Sequence, residues 1–226
     1  MKPAQHWSAT MPTLTPDDAS AQNDAELLAL LKSNTGAFNA FRVANPDYRP
    51  DFSGADFTRF SFSNANMRLA NLSGAKLDHA LIDNRSDFYG VNFRGADLSH
   101  VFSHGVRMAT ADCTGACLRN FDVTDANLNG VKFVDADLTE LRTLNSKMWD
   151  TDFTRAIMKG VLIWNEKGAS GFIIDAVFDD ADMTDARLAA GDNGRFCVDR
   201  ARIKPAAASG SLTYDQWMRE KARKPL

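Results

Sequence analysis

The stretch that decides the fold runs from residue 65 to residue 79 and reads, in blocks of five, Ala65-Asn66-Met67-Arg68-Leu69, Ala70-Asn71-Leu72-Ser73-Gly74, Ala75-Lys76-Leu77-Asp78-His79. Each block has a small residue, a polar residue that is often Asp or Asn, a large apolar residue that we call the centre, and two variable positions. Centres recur every five residues from Phe52 to Ile82 and, after one extra residue placed at Arg85, from Phe88 to Leu188. Of these 28 centres, 25 are apolar; the exceptions are Ser103, Thr143 and Gly168. The chain is therefore a tandem repeat over residues 50–190.

A period of five matches neither an α-helix nor a flat strand. It indicates a chain that turns a corner every five residues, with a small and a large residue pointing inward and three residues pointing outward. Asp or Asn before the centre suits a tight turn, because its side chain can bind nearby backbone. One coil cannot bury its apolar side alone, so the coils must stack.

The Ala-(Asp/Asn)-(Leu/Phe)-x-x tandem resembles the pentapeptide-repeat family. The resemblance implies an all-β solenoid, a right-handed quadrilateral β-helix with four pentapeptides in each coil and about seven coils in total. We number its four faces by their first centres, Phe52, Phe57, Phe62 and Met67, so that centres four repeats apart share a face.

The sequence divides into four segments, of which three lie outside the repeats. Residues 1–23 form a mobile N-terminal segment, and residues 24–49 form an α-helical N-terminal cap of two short helices that split near Asn34. The β-helix takes residues 50–205, with a loop near residues 166–171, where the inward pattern is lost. Residues 206–226 form a linker and a C-terminal helix, which either covers the last coil or packs on a second copy of the chain in a homodimer.

The composition limits the class of protein. The 226 residues are 44% hydrophobic and 24% charged, with a net charge of −3, so direct nucleic-acid binding is not expected. No apolar stretch is long enough to span a membrane, and three cysteines do not suggest a disulfide framework. We expect a cytoplasmic bacterial protein.

The third face is unusual because large apolar residues occupy its outward positions. A set of this kind marks either an interface or a surface covered by the chain's own segments, and both readings stay open. The candidate partner-binding residues are Leu81, Phe102, Leu144, Leu162 and Trp164 on this face and Trp149 on the next face.

No catalytic, cofactor or metal site is predicted. Cys113 points inward and Cys117 outward, so the two thiols are poorly placed to share a zinc ion. His79 and His100 should stack one coil apart, at about 4.8 Å. We interpret them as a solvated ladder, because no carboxylate at a matching position completes a site. An enzyme is not expected.

Two functions follow as hypotheses. The first is a non-enzymatic scaffold that binds a protein partner through a side-chain ladder and the apolar patch. The second is implied by the resemblance: some members mimic DNA, bind DNA gyrase or another type II topoisomerase, and protect it from quinolones. Its candidate acidic face is the third face, with Asp83, Asp122, Asp125, Asp182 and Asp185. A secreted effector or immunity protein is a third class.

Overall fold

The computed structural model describes residues 21–165, 173–190 and 198–199, and it shows two helices followed by a β-solenoid. Positions five residues apart each pair in parallel with a position one coil further along the chain. The first such pairs are Asp51 with Asn71, Asp56 with Lys76, Ser61 with Leu81 and Asn66 with Asp87. The coil thus has four faces, as the repeat predicts.

Extended strands are short, and most lie on the third face. Six of them form one parallel sheet in the order β1-β2-β3-β4-β6-β8: Leu81–Ile82, Phe102–His104, Asp122–Thr124, Arg142–Leu144, Leu162–Asn165 and Arg187–Ala190. The fourth face has a second sheet of β5 (Met148–Trp149), β7 (Ile173–Ile174) and β9 (Val198–Asp199). Single bridges connect the coils elsewhere.

The interior is filled by one small and one large side chain from each repeat. Ala75 and Leu77, for example, are both fully buried, and the same holds for Ala96 and Leu98. Equivalent aromatic centres stack directly on each other: the rings of Phe133 and Phe153 are 5.3 Å apart, and those of Phe153 and Phe178 are 4.8 Å apart. Offset stacking of this kind adds to the free energy gained by burial.

Each corner depends on two local devices. The residue two positions after a centre has a positive φ angle, as in Gly74 (64°) and His79 (58°). The Asp or Asn before the centre accepts a hydrogen bond from the backbone two residues later, as Asp56 does from Thr58 N at 2.9 Å. The turn role inferred from the sequence is therefore confirmed.

One corner is a residue longer than the others, and Asp83 holds it together. The β-bridges between the coils on either side of this corner join residues that are 21 positions apart instead of 20, such as Asn66 and Asp87. The Asp83 carboxylate accepts hydrogen bonds from Ser63 Oγ, from Asn64 N at 3.1 Å and from Ser86 Oγ at 2.8 Å. Burial of the carboxyl raises its pKa, but these hydrogen bonds outweigh burial and hold the pKa of Asp83 well below its ordinary value.

The register after residue 165 corrects the assignment of faces made from the sequence. Met148 pairs with Ile173, Ile157 with Asp182 and Leu162 with Arg187, so this coil is 25 residues long. The five extra residues lie between Asn165 and Ile173, in the range 166–172 that is outside the described residues. Counting them as a repeat moved every later centre by one face, so Met183 belongs to the second face and Leu188 to the third.

The helices α1 (Ala21–Ser33) and α2 (Thr35–Ala44) lie where the sequence predicts helices, and they split at Asn34. Their side chains bind the open edge of the first coil. Asn39 donates to Asn64 O at 2.6 Å and accepts from Asn66 N at 2.9 Å, and Lys32 Nζ donates to Asp56 O at 2.9 Å. Asn39 thus forms the hydrogen bonds that a further strand would have made, which protects the edge from pairing with another chain.

Arg42 makes the deepest of these contacts. It is only 3% exposed, and its guanidinium donates to Tyr48 O and Arg68 O at 2.5 Å and to Asn66 O at 3.3 Å. Burial, with smaller contributions from Arg49 and Arg68, lowers the pKa of Arg42 to about 10. The group stays charged at neutral pH and satisfies three carbonyl groups.

Helix α1 begins at Ala21, so residues 21–23 belong to the helical cap and not to the segment predicted to be mobile. Three predictions lie outside the described residues and remain predictions: the mobile segment over residues 1–20, the loop near 166–171 and the C-terminal helix. Neither described helix is long and apolar enough to cross a membrane.

Candidate functional site

The most exposed apolar pair on the third face is Leu81 and Phe102. They are partners in register on β1 and β2, and their exposed fractions are 53% and 55%. Nothing among the described residues covers them. Two large apolar side chains side by side in water are unfavourable unless a partner removes them from solvent.

The other apolar candidates do not extend this pair into one patch. Leu144 and Trp164 are partners on β4 and β6, and Leu162 lies beside them; all three are half-buried. Charged residues separate them from Phe102, because Asp122 and Arg142 occupy the next two positions of the same row. Trp149, 42% exposed, pairs with Ile174 on the fourth face. The structure therefore has two apolar groups where the sequence suggested one.

The candidate acidic residues do not share a face. Asp122 and Asp125 lie on the third face, where Asp125 is 3.8 Å from His104 Nδ1. Asp182 pairs with Ile157 on the second face, and Asp185 is on the same repeat. The corrected register explains the difference. Asp83 is on the third face, but its carboxylate accepts the hydrogen bonds that hold the long corner together.

Three other carboxylates in the described part of the chain, Asp87, Asp112 and Asp137, are paired with an arginine of the preceding coil. The arginine follows one centre and the aspartate precedes the equivalent centre on the same face one coil later, as in Arg94 with Asp112 (3.2 Å) and Arg119 with Asp137 (2.6 Å). Burial raises the pKa of both aspartates, but hydrogen bonds from Thr114 or Thr139 and from the arginine outweigh it, and the pKa ends below its ordinary value. Such pairs contribute little stability in solvent, yet they reduce the acidity of the rod.

The two histidines stack as predicted, with ring centroids 4.6 Å apart and planes at 21°. The expectation that no carboxylate joins them is wrong. Asp78 Oδ2 lies 2.9 Å from His79 Nδ1, and Asp78 Oδ1 lies 3.0 Å from His100 Nδ1. Hydrogen bonds from His100 and His79 lower the pKa of Asp78. This group is the one cluster of three His, Cys, Asp or Glu side chains in the described part of the chain whose ligand atoms all lie within 4.8 Å of each other.

Sequence reasoning missed this cluster because it compared only equivalent positions of different coils. Asp78 directly precedes His79, one position earlier in the same repeat. At a corner the chain bends, so neighbouring positions can face the same point in space.

The cysteines are placed as the repeat predicts. Cys113 is buried, and burial raises the pKa of its thiol. Cys117 is half-buried, and its Sγ lies 3.2 Å from Ser99 Oγ. They do not form a shared ligand set.

Comparison with known proteins agrees with the fold. The family model described as pentapeptide repeats matches residues 51–84, 86–125 and 107–142, with eight copies. Comparison with curated protein sequences gave no significant match.

The chain is similar to solved structures of pentapeptide-repeat proteins. HetL, involved in heterocyst differentiation regulation in Nostoc sp. strain PCC 7120, is 18% identical, with 70% of this chain and 73% of HetL covered and a TM-score of 0.42. Full-length QnrB1, a plasmid-mediated fluoroquinolone resistance protein, is 16% identical, with coverages of 68% and 79% and a TM-score of 0.32. A protein of the Arabidopsis thaliana thylakoid lumen is 24% identical, with coverages of 49% and 63% and a TM-score of 0.24.

Proposed function

We propose that the chain, whose residues 51–84 and 86–142 match the pentapeptide-repeat model, is a non-enzymatic scaffold that binds a protein partner through the third face. The observation that carries this proposal is the exposed Leu81–Phe102 pair on adjacent rungs of a rigid parallel sheet. An aromatic side chain held by such a sheet loses little conformational freedom on binding, which is the usual property of an interface anchor.

The charged residues beside the pair suit a partner surface with an apolar centre and a polar rim. Asp122 pairs with Phe102 on the next strand of the sheet. The exposed His104 lies two residues after Phe102 on β2 and points outward as Phe102 does. Charges at the rim set orientation and association rate more than affinity. The anchor is therefore Phe102, supported by Leu81.

A capture experiment with matched variants tests the scaffold proposal. Immobilised wild-type protein, Leu81→Ser/Phe102→Ser and Ile157→Ser are exposed to a bacterial lysate, and bound proteins are quantified by mass spectrometry. Ile157 is the control because it is an apolar residue of similar exposure (40%) on the second face. We expect one partner to be retained by the wild type and by Ile157→Ser and to fall at least tenfold with the double variant.

Equal recovery of every protein by all three baits would overturn the assignment of this face. Sedimentation of the purified wild type at several concentrations decides whether the partner is a second copy of the chain. A dimer lost only in the double variant would identify that copy as the partner.

A type II topoisomerase is the second candidate partner, and a charge asymmetry along the rod favours it. In the described residues from 148 to 190, seven residues are acidic and three are basic, whereas from 51 to 147 twelve are acidic and ten are basic. Asp180 and Asp185 in the last coils are exposed at corner positions with φ of 58°. An ordered cluster of carboxylates can occupy a basic channel that normally takes DNA.

A DNA gyrase supercoiling assay, with and without a quinolone, tests this candidate. We expect inhibition or protection by the wild type, at least a fivefold loss with Asp180→Asn/Asp185→Asn, and little change with Asp125→Asn, the matched corner substitution in an earlier coil. Asn tolerates a positive φ angle, so these changes remove charge without disturbing the corner. Supercoiling that is unaffected by the wild type would reject gyrase as the partner.

A further inference from the structure

The corner formed by Leu77, Asp78 and His79 brings two imidazoles and a carboxylate to one point on the second face. The two Nδ1 atoms lie at 2.9 and 3.0 Å from different oxygens of the same carboxylate. Side-chain exposures of 36% for Asp78, 51% for His79 and 47% for His100 leave the cluster open to solvent. The three side chains are therefore accessible to an ion from solvent.

We propose that Asp78, His79 and His100 form a binding site for a divalent transition-metal ion of the zinc type. Two imidazole nitrogens and a carboxylate oxygen are a ligand set that zinc takes in proteins. Donor atoms of a tetrahedral zinc ion, with bonds of about 2.0–2.1 Å, lie about 3.3 Å apart. The two Nδ1 atoms contact different oxygens of Asp78, at 2.9 and 3.0 Å, and the three ligand atoms all lie within 4.8 Å of one another, so side-chain rotations would bring one carboxylate oxygen and both nitrogens to the spacing that zinc requires. Water or a side chain of a partner would fill the fourth position.

The backbone holds the ligands in place before any ion binds. His79 N donates to Ser99 O at 3.0 Å, and His100 N donates to Arg119 O at 2.9 Å, so each residue is fixed to the coil that follows it. Both residues have the left-handed conformation, with φ of 58° and 56°. On the far side of the pair, Asn120 Nδ2 lies 3.4 Å from His100 Nε2, a contact that keeps Nδ1 of that ring toward Asp78. With a metal ion on Nδ1, Nε2 would carry the proton and would donate it to the amide oxygen of Asn120 after the amide turns over.

A metal ion here would join two coils through side chains. His79 and His100 belong to successive coils that are otherwise held by main-chain hydrogen bonds on this face. A ligand that binds the folded chain and not the unfolded one raises the free energy of unfolding, and the gain grows with the logarithm of the ligand concentration above its Kd. The site therefore predicts a zinc-dependent thermal stability that is separate from partner binding at the third face.

The test is a titration of the full chain with Zn²⁺ in competition with a chromophoric chelator. His100→Asn removes one ligand and introduces the residue that Asn120 supplies at the same position of the next coil, so the corner is preserved. His79→Asn and Asp78→Asn remove the other two ligands. His104→Thr is the control, because Thr124 occupies the equivalent position on the next rung, and Cys117→Ser excludes a role for that thiol.

We expect one zinc ion per chain at this site, an affinity at least tenfold lower in each of the three ligand variants, and no change in the two controls. The melting temperature of the wild type should rise with added Zn²⁺ and that of His100→Asn should not. Equal zinc affinity of the wild type and the ligand variants, or no binding by the wild type, would overturn the proposal. Because no ligand lies on the third face, neither result depends on whether the scaffold proposal holds.

Discussion

At the scale of single residues, the corner position two residues after each centre is the most demanding in the repeat. Its backbone is left-handed, which costs a residue with a β-carbon about 1–2 kcal/mol. The chain meets this requirement with Gly, Asn, Asp and His at many corners. Two glycines differ sharply in what surrounds them, and the difference gives a direct test of the corner geometry.

Gly105→Ala should destabilise the protein more than Gly115→Ala. Both glycines have a positive φ angle, 68° and 66°, but a β-carbon at Gly105 would lie 2.6 Å from Asn84 Cβ in the long corner, whereas Gly115 faces open space. We expect a loss of about 1 kcal/mol for Gly115→Ala from backbone strain and about 2–4 kcal/mol for Gly105→Ala from strain plus overlap. Denaturant unfolding measures both. Equal losses would show that the long corner is not packed as described.

Asp83→Asn should weaken the long corner and change the response of stability to acid. A folded-state pKa below the unfolded value near 3.9 means that the ionised carboxylate stabilises the fold above about pH 4 and that this contribution is lost as the pH falls below it. We expect Asp83→Asn to cost about 1–2 kcal/mol at pH 7. The difference from wild type should shrink between about pH 4 and pH 2 in unfolding curves. A difference that stays constant over this range would contradict the ionised role.

At the scale of elements, the two helices act as a substitute for a missing coil. Side chains of Lys32, Asn39 and Arg42 bind backbone groups that an additional coil would otherwise bind. The ring of Phe38 lies 6.3 Å from that of Phe52, and Lys32 Nζ lies 5.2 Å from the centroid of Phe57, so the helices also close the end of the apolar interior. The first coil should therefore depend on them.

Arg42→Ala should cost about 2–4 kcal/mol, because it leaves three backbone carbonyls without their charged donor and opens a space beneath α2. Arg49→Ala is the control: its side chain is exposed and bonds only neighbouring carbonyls, and we expect a change below about 0.5 kcal/mol. Hydrogen exchange should locate the effect of Arg42→Ala in the first coil. Loss of protection spread evenly along the rod would argue against a local role for the helices.

At the scale of the whole molecule, the repeat predicts the inward and outward positions of the coil, but it does not predict the insertion near 166–172 or the contacts of the N-terminal helices. The inward positions follow directly from the period, and even Ser103 and Thr143 are buried at centres, because their neighbours fix the register. The five residues added near 166–172 could not be located on a face from the sequence, since an insertion of one full period leaves the count intact. The contacts of Arg42 and Asn39 could not be predicted from the sequence either, because most of their hydrogen-bond partners lie about 25 residues away and no local pattern identifies them.

The inward register can be tested over the length of the rod with Leu128→Asp. Leu128 is 1% exposed, and an unpaired carboxylate there would be surrounded by apolar side chains. We expect a loss of about 4 kcal/mol or more, seen as a lost or strongly lowered thermal transition. Asn129→Asp, one position later and half-buried, is the control and should leave the transition largely in place. Retention of the wild-type transition by Leu128→Asp would refute the register.

The 25-residue coil has a consequence for how such a chain can change over evolution. Gain or loss of a whole coil keeps every later side chain on its face. Gain of one pentapeptide moves all later residues to the next face, unless the added residues stay outside the coil. Here the pairing of Leu162 with Arg187 shows that the residues after the addition lie on the same faces as those of the preceding coil. The rows of outward side chains can therefore be extended only by complete turns, and a smaller addition must be confined to one corner or one local segment so that the residues after it keep their faces.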